Sequence, residues 1–189
     1  MRNKYILLRH GETKYQAIKS DSLYTQSEQF TLPITKKGRR QIQIGAKKLK
    51  KRDIGFIYSS DFFRTKETAQ IVAKELGLKI KFDKRLRDTN FGIFSGKTGK
   101  EYKEFFSSKK QRFSKKTPKG ENWRDVKKRV KSFIKDIEKK HRNKVILIVS
   151  HADLLWLLAG FLKRLTEKEL LKKRDKKDLW PDVGQFIEI

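Results

Sequence analysis

Short apolar runs alternate with longer amphipathic stretches along this chain. The short runs have the length and composition of β-strands, and the amphipathic stretches repeat apolar residues three or four positions apart, as helices with one buried face do. The predicted strands are Tyr5 to Leu8, Ile54 to Tyr58, Leu78 to Phe82, Val145 to Val149 and Phe186 to Ile189. Helices are predicted after Thr35 to Gly38, from Phe62 to Leu76, from Trp123 to Ile137 and from Leu154 to Phe161. This alternation favours an α/β fold, a three-layer α/β/α structure around a mainly parallel sheet.

Two segments follow neither period. Residues 14–34 are polar and aperiodic, and residues 96–120 are rich in Lys, Ser and Thr and are broken by glycine and proline. Both are longer than the usual connection inside a compact domain, which favours lids or substrate loops. Because no repeat or long linker divides the chain, we expect residues 1–189 to form a single domain.

Composition limits the class of protein. At 189 residues with 36% hydrophobic residues, the chain has enough apolar surface for a core. No apolar run reaches membrane-spanning length, and the first residues lead directly into a short strand rather than a signal-peptide core. The absence of cysteine excludes disulfides, thiolate metal sites and a cysteine nucleophile. We therefore expect a soluble, cytoplasmic protein without membrane partners.

The charge is strongly positive, at +27. Clustered Lys and Arg could bind nucleic acid through its phosphates, whereas lysines that fill the exposed faces of helices would need no partner. The second interpretation is favoured, because the lysines are spread over all predicted helices and no nucleic-acid-binding motif is present. Non-specific binding of polyanions and attraction of small phosphorylated molecules remain open. Nothing in the sequence indicates the oligomeric state.

Polar residues follow three of the predicted strands at the point where each strand ends. Arg9 and His10 follow the first, Ser59 and Ser60 the second, and His151 comes two residues after the fourth. Ligands of open α/β sheets bind outside the carboxyl ends of the strands, so these side chains could meet in one pocket.

An arginine of the next helix belongs to the same group. Arg64 falls in the first turn after Ser60, and the arginine fork matches a tetrahedral phosphate in geometry and charge. A single histidine is more often a structural residue, as we expect for His141 in a basic helix terminus. Two of only three histidines at equivalent strand ends favour a phosphate site instead.

Five sequence blocks, in order, resemble those of the histidine phosphatase superfamily, the phosphoglycerate mutase-like enzymes. The resemblance covers nearly the whole chain. The blocks are Arg9-His10-Gly11-Glu12-Thr13, Pro33-Ile34-Thr35 with Gly38, Ile57 to Ser60 with Arg64-Thr65 and Thr68-Ala69, Leu86-Arg87-Asp88 with Phe91-Gly92 and Gly96, and Val149-Ser150-His151.

The resemblance implies a role for each matching residue. His10 would attack phosphorus and form a phosphohistidine, while Arg9, Arg64 and a protonated His151 would neutralise the transferring phosphoryl oxygens. Asp88 would protonate the leaving oxygen and later accept a proton from water. The resemblance further implies a phosphate pocket that includes Gly11 and Gln16, with neither a metal nor an organic cofactor.

Two of the predicted site residues depart from the family pattern. Asp88 stands where phosphatases of this family usually have the longer Glu, and Gln16 stands where many members have Asn. The segment between Gly96 and Trp123 is shorter than in the mutases, so we expect a phosphatase branch enzyme, a phosphomonoesterase that acts on a small phosphorylated metabolite. A phosphoglycerate mutase-type transfer and a non-catalytic module that binds phosphate or polyanions remain as alternatives.

Overall fold

A five-stranded sheet forms the centre of the fold in a computed structural model that describes residues 1–176 and 179–189. Its strands are β1 (Lys4–Arg9), β2 (Ile54–Ser59), β3 (Ile80–Phe82), β4 (Val145–Ser150) and β5 (Phe186–Glu188). They lie in the order β3-β2-β4-β1-β5, and only β5 is antiparallel to its neighbour within the described residues. All five predicted strands and the mainly parallel sheet are thus confirmed.

Helices cover both faces of this sheet, and three short ones lie outside the two core layers. The helices are α1 (Lys14–Ala17), α2 (Glu28–Thr31), α3 (Lys36–Leu49), α4 (Phe63–Leu76), α5 (Gly99–Glu104), α6 (Trp123–Lys140), α7 (Ala152–Leu162) and α8 (Glu167–Asp175). The four predicted helices correspond to α3, α4, α6 and α7. The sequence analysis did not predict α1, α2, α5 or α8, whose short or highly charged segments carry little apolar periodicity.

Alternate strand residues divide the core into two layers. On β1, Tyr5 and Leu7 pack against α6 and α7, whereas Ile6 and Leu8 pack against α3 and α4. All four side chains are almost fully buried. A strand buried on both faces needs helices on both sides, so the three-layer arrangement follows from the apolar runs.

The helices begin and end where local chemistry stabilises their free backbone groups. The Thr35 hydroxyl accepts a hydrogen bond from the Gly38 amide at the start of α3. The Asn122 side chain caps α6 in the same way. At the end of α4, Gly77 takes the left-handed conformation with φ of 67° that non-glycine residues adopt at a cost.

Residues 14–34 and 96–120 are more structured than the sequence analysis predicted. They contain α1, α2 and α5, and they pair through a bridge between Ser22 and Thr98. Leu23 of the first segment packs against a small aromatic cluster that includes Phe94, Tyr102 and Phe106. The two segments thus form one layer above the carboxyl ends of the strands, and their closing over a substrate stays a prediction.

His141 lies at the end of α6 in a structural environment. Its Nε2 is 2.8 Å from the hydroxyl oxygen of Tyr58, and its ring packs on Phe56.

Across the described ranges, no helix combines the length and the apolar character needed to cross a bilayer.

Candidate active site

The carboxyl ends of β1 and β4 and the start of α4 bring the predicted catalytic residues together. The rings of His10 and His151 have centroids 5.5 Å apart. Arg64 lies within hydrogen-bond distance of His151, and an Asp88 oxygen lies 3.7 Å from the Arg64 guanidinium. Both histidines and Arg64 are buried, so the charge of Arg64 acts on the two rings through protein rather than through water.

One ring nitrogen of His10 is hydrogen-bonded, and the other has a lone pair available for nucleophilic attack. Nδ1 lies 2.9 Å from the Gly11 carbonyl oxygen, which can only accept, so Nδ1 carries the proton and Nε2 has a lone pair. Burial, and then the charges of Arg64 and Arg9, hold the pKa of His10 well below its usual value. The ring is therefore neutral, as a nucleophile must be.

Arg64 is the central cation of the pocket. Its Nη1 donates to Oε1 of Gln29 at 2.8 Å, its Nη2 donates to Nδ1 of His151 at 3.0 Å, and its guanidinium lies 4.2 Å from the ring centroid of Tyr24. Its Nε is buried without an acceptor. Because an unsatisfied buried donor is costly, this atom favours an anion in the pocket.

His151 has a hydrogen-bond partner at each ring nitrogen in the unliganded pocket. Since a guanidinium only donates, Nδ1 of His151 accepts from Arg64, and the proton resides on Nε2, 3.1 Å from the Ser60 hydroxyl oxygen. Burial, and then the charges of Arg64 and His10, hold the pKa of His151 well below its usual value. His151 is therefore neutral in the unliganded pocket, and its protonation beside a transferring phosphoryl group stays a prediction.

Asp88 lies at the edge of this pocket with most of its side chain buried. Its Oδ2 is 3.7 Å from Nη2 of Arg64 and 3.8 Å from Nδ1 of His151. Burial raises its pKa to about 6, against the opposing effect of Arg64 and with a smaller increase from Asp153. A carboxyl group with this pKa can hold a proton in mildly acidic solution and release it, as a general acid–base requires.

Arg9 supplies a second cation to the pocket. Its Nη1 reaches the Pro181 carbonyl oxygen only at 3.5 Å, and its Nε is buried without an acceptor. Burial lowers its pKa from the ordinary value, with opposing contributions from Tyr24 and Asp88. Arg9 and Arg64 thus each keep an unused buried donor.

The two predicted phosphate ligands Gly11 and Gln16 have other partners. The Gly11 amide donates to the Thr68 hydroxyl at 3.0 Å, so its only backbone donor is engaged and its role here is to position His10. Gln16 lines a cavity, but its Oε1 accepts from Thr13 and its Nε2 donates to the Tyr24 hydroxyl. Contact between Gln16 and a substrate stays a prediction.

Sequence reasoning missed the residues that hold the main groups in place. Gln29 and Tyr24, which orient Arg64, lie in an aperiodic segment without a motif. Arg129 of α6 donates to the Asp88 carbonyl at 2.9 Å and pairs with Glu121, which fixes the loop that carries the acid. Charge alone could not have singled out Arg129 among so many basic residues.

Two cavities meet at Asp88, each of about 350 Å³. The first has aromatic walls formed by Phe30 and Phe62, with Arg87 packed against both rings. The second contains Arg9 and extends to Arg112 and Arg174. Both cavities end on the side chain that would protonate a leaving group, so either could accommodate the remainder of a substrate.

Comparisons with known proteins agree with this geometry. The family model of the histidine phosphatase superfamily (branch 1) matches residues 5–174. A protein of Escherichia coli O1:K1 / APEC named "Probable phosphoglycerate mutase GpmB" is 31% identical over 96% of this chain and 89% of its own length. A protein of the same name from Yersinia enterocolitica is 40% identical over 87 residues, which are 46% of this chain and 38% of that protein.

A solved structure shows the same fold at lower identity. Mycobacterial glucosyl-3-phosphoglycerate phosphatase, in complex with VO3, superimposes with a TM-score of 0.78 over 98% of this chain and 89% of that chain, at 22% identity. The fold and site therefore define an α/β enzyme of phosphoryl transfer. The chain belongs to the histidine phosphatase superfamily, branch 1.

Proposed function

We propose that the protein is a phosphomonoesterase that hydrolyses a small phosphorylated metabolite through a phosphohistidine on His10. The observation that carries this proposal is the pairing of a neutral His10, whose Nε2 is free, with buried donors of Arg9 and Arg64 that lack acceptors. A phosphoryl group between them would satisfy these donors and present its phosphorus to the nucleophile.

In the first step, Nε2 of His10 attacks phosphorus and the bond to the leaving oxygen breaks. The arginines neutralise the charge on the three remaining oxygens. Asp88 can hold a proton in mildly acidic solution because its pKa is about 6. It gives this proton to the leaving oxygen, so that an alcohol departs. The Gly11 carbonyl keeps the proton on Nδ1 and stabilises the positive charge that the ring acquires.

In the second step, water attacks the phosphohistidine. Asp88, now ionised, accepts a proton from that water, and His10 departs as a neutral ring. Inorganic phosphate remains between the arginines, and Asp88 is again protonated. The cycle is therefore balanced in protons, and it begins and ends with the same states of His10 and Asp88.

Hydrolysis is favoured over isomerisation by the length of the chain above the pocket. Only a short segment separates Gly96 from Trp123, and Asp88, which would activate the water, lines both neighbouring cavities. The relatives named as mutases favour the alternative, a phosphoglycerate mutase-type transfer.

Trapping the intermediate tests the proposed mechanism. Wild-type protein mixed with labelled p-nitrophenyl phosphate should release phosphate and carry an acid-labile, alkali-stable label, and His10→Ala should lose both. Arg142→Gln, which removes an exposed cation, is the matched control and should behave as the wild type does. Equal hydrolysis by His10→Ala would overturn the phosphohistidine mechanism, whereas no phosphatase activity in either protein would favour the binding module.

Product analysis separates the two phosphoryl-transfer reactions. With 3-phosphoglycerate and catalytic 2,3-bisphosphoglycerate, a phosphatase releases inorganic phosphate. Rapid isomerisation without release of phosphate would establish the mutase instead.

A further inference from the structure

Arg129 of α6 uses all five N–H groups of its guanidinium. Nη1 donates to the backbone carbonyls of Arg85 at 2.6 Å and Arg87 at 2.7 Å, and Nη2 donates to that of Asp88 at 2.9 Å. The other two N–H groups, on Nε and Nη2, donate to the two carboxylate oxygens of Glu121 at 2.9 and 3.0 Å. A guanidinium has no other donor, so Arg129 has none left for a substrate, although it lines the first cavity.

Glu121 holds the chain on the other side of the acid. Its Oε2 also accepts from the Asn90 amide at 3.0 Å, and its own amide donates to the Asn90 carbonyl at 2.8 Å. The side chains of Arg129 and Glu121 are 17% and 25% exposed, so water competes little for these bonds. Asp88 therefore lies between backbone groups held by Arg129 before it and by Glu121 after it.

A fixed backbone also fixes the carboxyl group of Asp88. Its Oδ1 accepts from the Thr89 amide at 3.0 Å, which leaves Oδ2 beside Arg64 and His151. Aspartate has one side-chain torsion fewer than glutamate, so it can compensate less for a displaced backbone. A displacement of about 1 Å between reacting groups can cost about 10²-fold in rate. The position of this loop therefore decides whether the acid reaches the leaving oxygen.

We infer that Arg129 and Glu121 form a clamp that positions Asp88 for proton transfer to the leaving oxygen. Arg129 is a positioning residue, because it acts through the backbone of the acid and has no donor for the substrate. The inference rests on the proposed phosphatase activity, since it extends the role of Asp88 in that reaction. Loss of the clamp should impair proton transfer and leave the nucleophile and the phosphate pocket unchanged.

A second arginine–glutamate pair on the same helix provides a matched control. Arg124 donates from Nε and Nη2 to the two carboxylate oxygens of Glu167 at 2.9 and 3.0 Å, as Arg129 does to Glu121. Within the described residues, Arg124 makes no hydrogen bond to residues 85–90. Arg124→Lys therefore removes an equivalent fork without releasing the acid.

The dependence of the rate on the leaving group measures the clamp. Arg129→Lys keeps the charge, but an ammonium cannot hold three carbonyls and a carboxylate in the geometry of a planar fork. For propyl phosphate, whose leaving oxygen needs a proton, kcat/KM should fall about 10- to 10²-fold. For p-nitrophenyl phosphate it should change less than about twofold, because nitrophenolate departs without protonation. Arg124→Lys should behave as the wild type does with both substrates.

A double variant separates positioning from a general loss of structure. When Asp88→Asn has already removed the acid, adding Arg129→Lys should change kcat/KM for propyl phosphate less than about twofold, because residues that act as one unit are not additive. Additive losses would overturn the inference. If Arg129→Lys does not fold, Glu121→Gln replaces it, and it too should impair propyl phosphate selectively. An equal effect of Glu121→Gln on both substrates would overturn the clamp.

Failure of the clamp can be distinguished from failure of the proposed function. If Arg129→Lys lowers the rates of both substrates equally while Asp88→Asn impairs propyl phosphate selectively, the clamp is overturned and the phosphatase remains. Wild-type rates for Arg129→Lys with both substrates would also overturn the clamp alone. No hydrolysis of either substrate by the wild type would overturn the proposed phosphatase, and the clamp with it.

Discussion

Arg64 donates a hydrogen bond from Nη2 to Nδ1 of His151 at 3.0 Å, and this bond fixes which ring nitrogen of His151 carries no proton. The arginine has no acceptor to offer, so the histidine must be unprotonated at that nitrogen. With His10 also neutral, the positive charge for a phosphate comes from Arg64 and Arg9. The sequence analysis assigned this role to both arginines and a protonated His151, and the part of His151 in the liganded pocket stays a prediction.

Replacing Arg64 tests this division of roles. Burial and then the charge of Arg64 lower the pKa of His151, so Arg64→Gln removes the second of these effects and that pKa should rise toward its usual value. The change should be visible in an NMR titration of the three imidazoles. Loss of one charge-assisted contact in the transition state should also lower kcat by about 10²- to 10³-fold. An unchanged His151 titration would contradict the proposed electrostatic coupling.

Asp88 is expected to matter most for substrates with a poor leaving group. Asp88→Asn keeps the size of the side chain but cannot deliver a proton, so kcat/KM for an alkyl phosphate should fall about 10²- to 10⁴-fold. For p-nitrophenyl phosphate the loss should be much smaller, because nitrophenolate departs without protonation. Equal losses for both substrates would show that Asp88 is not the acid.

The pH dependence follows from the same two groups. Asp88 acts as an acid while protonated, so kcat/KM should decline as pH rises through about 6. His10 acts while neutral, and because its pKa is well below the usual value, activity should fall only in more acidic solution. A pH–rate profile should therefore have its maximum below neutrality.

The variant Asp88→Asn distinguishes titration of the enzyme from titration of the substrate in this pH–rate profile. The phosphate monoester itself ionises near pH 6, so its titration could imitate that of Asp88. Asp88→Asn should lose the decline that belongs to the enzyme and keep the decline that belongs to the substrate. Identical profiles for the two proteins would assign the decline to the substrate alone.

Residues at the ends of the strands could be predicted from the sequence, whereas most residues that line the cavities could not. His10, His151 and Arg64 could be placed because apolar runs of strand length precede them and the ends of parallel strands meet at one edge. Arg112 lies in a segment without a hydrophobic period. Its position depends on packing between the rings of Tyr102 and Trp123, which long-range contacts determine.

The protonation state of His151 could not be predicted for a related reason. A strand-end histidine can be charged or neutral, and the outcome depends on the donor that faces it. That donor, Arg64, is oriented by Gln29 and Tyr24 from residues 14–34, whose polar sequence indicates no fold. Local sequence patterns therefore predicted the position of His151 but not its protonation state.

Burial of Asp88 should lower stability at neutral pH. The folded-state pKa of about 6 exceeds the unfolded value of 3.8, so the folded state binds more protons between these values and stability falls as pH rises through them. A shift of about two units corresponds to about 3 kcal/mol as an upper limit. Asp88→Asn should therefore raise the melting temperature at pH 8 more than at pH 4.5.

An exposed aspartate provides the contrast. Arg85 lowers the pKa of Asp136, so this ion pair stabilises the fold at neutral pH and loses its effect as pH falls. Because this loss occurs below the unfolded pKa of 3.8, Asp136→Asn should lower the melting temperature at pH 8 more than at pH 2.5, whereas Asp88→Asn should raise it at pH 8 more than at pH 4.5. Thermal denaturation of each variant at its two pH values checks the prediction, and a change of the same sign in both would contradict it.

The last prediction concerns the contact that holds the His10 loop against α3. A Cβ atom added at Gly38 would lie 2.5 Å from the Glu12 carbonyl oxygen, whereas one added at Gly45, two turns along the same helix, would have its nearest neighbour at 3.9 Å. Gly38→Ala must therefore push the loop away, and it should destabilise the fold by about 1 to 3 kcal/mol and reduce kcat as His10 shifts. Gly45→Ala should instead stabilise the helix by about 0.5 to 1 kcal/mol and leave kcat unchanged. Urea unfolding and p-nitrophenyl phosphate hydrolysis measure both effects, and a Gly38→Ala protein as stable and active as Gly45→Ala would show that this close contact does not position the nucleophile.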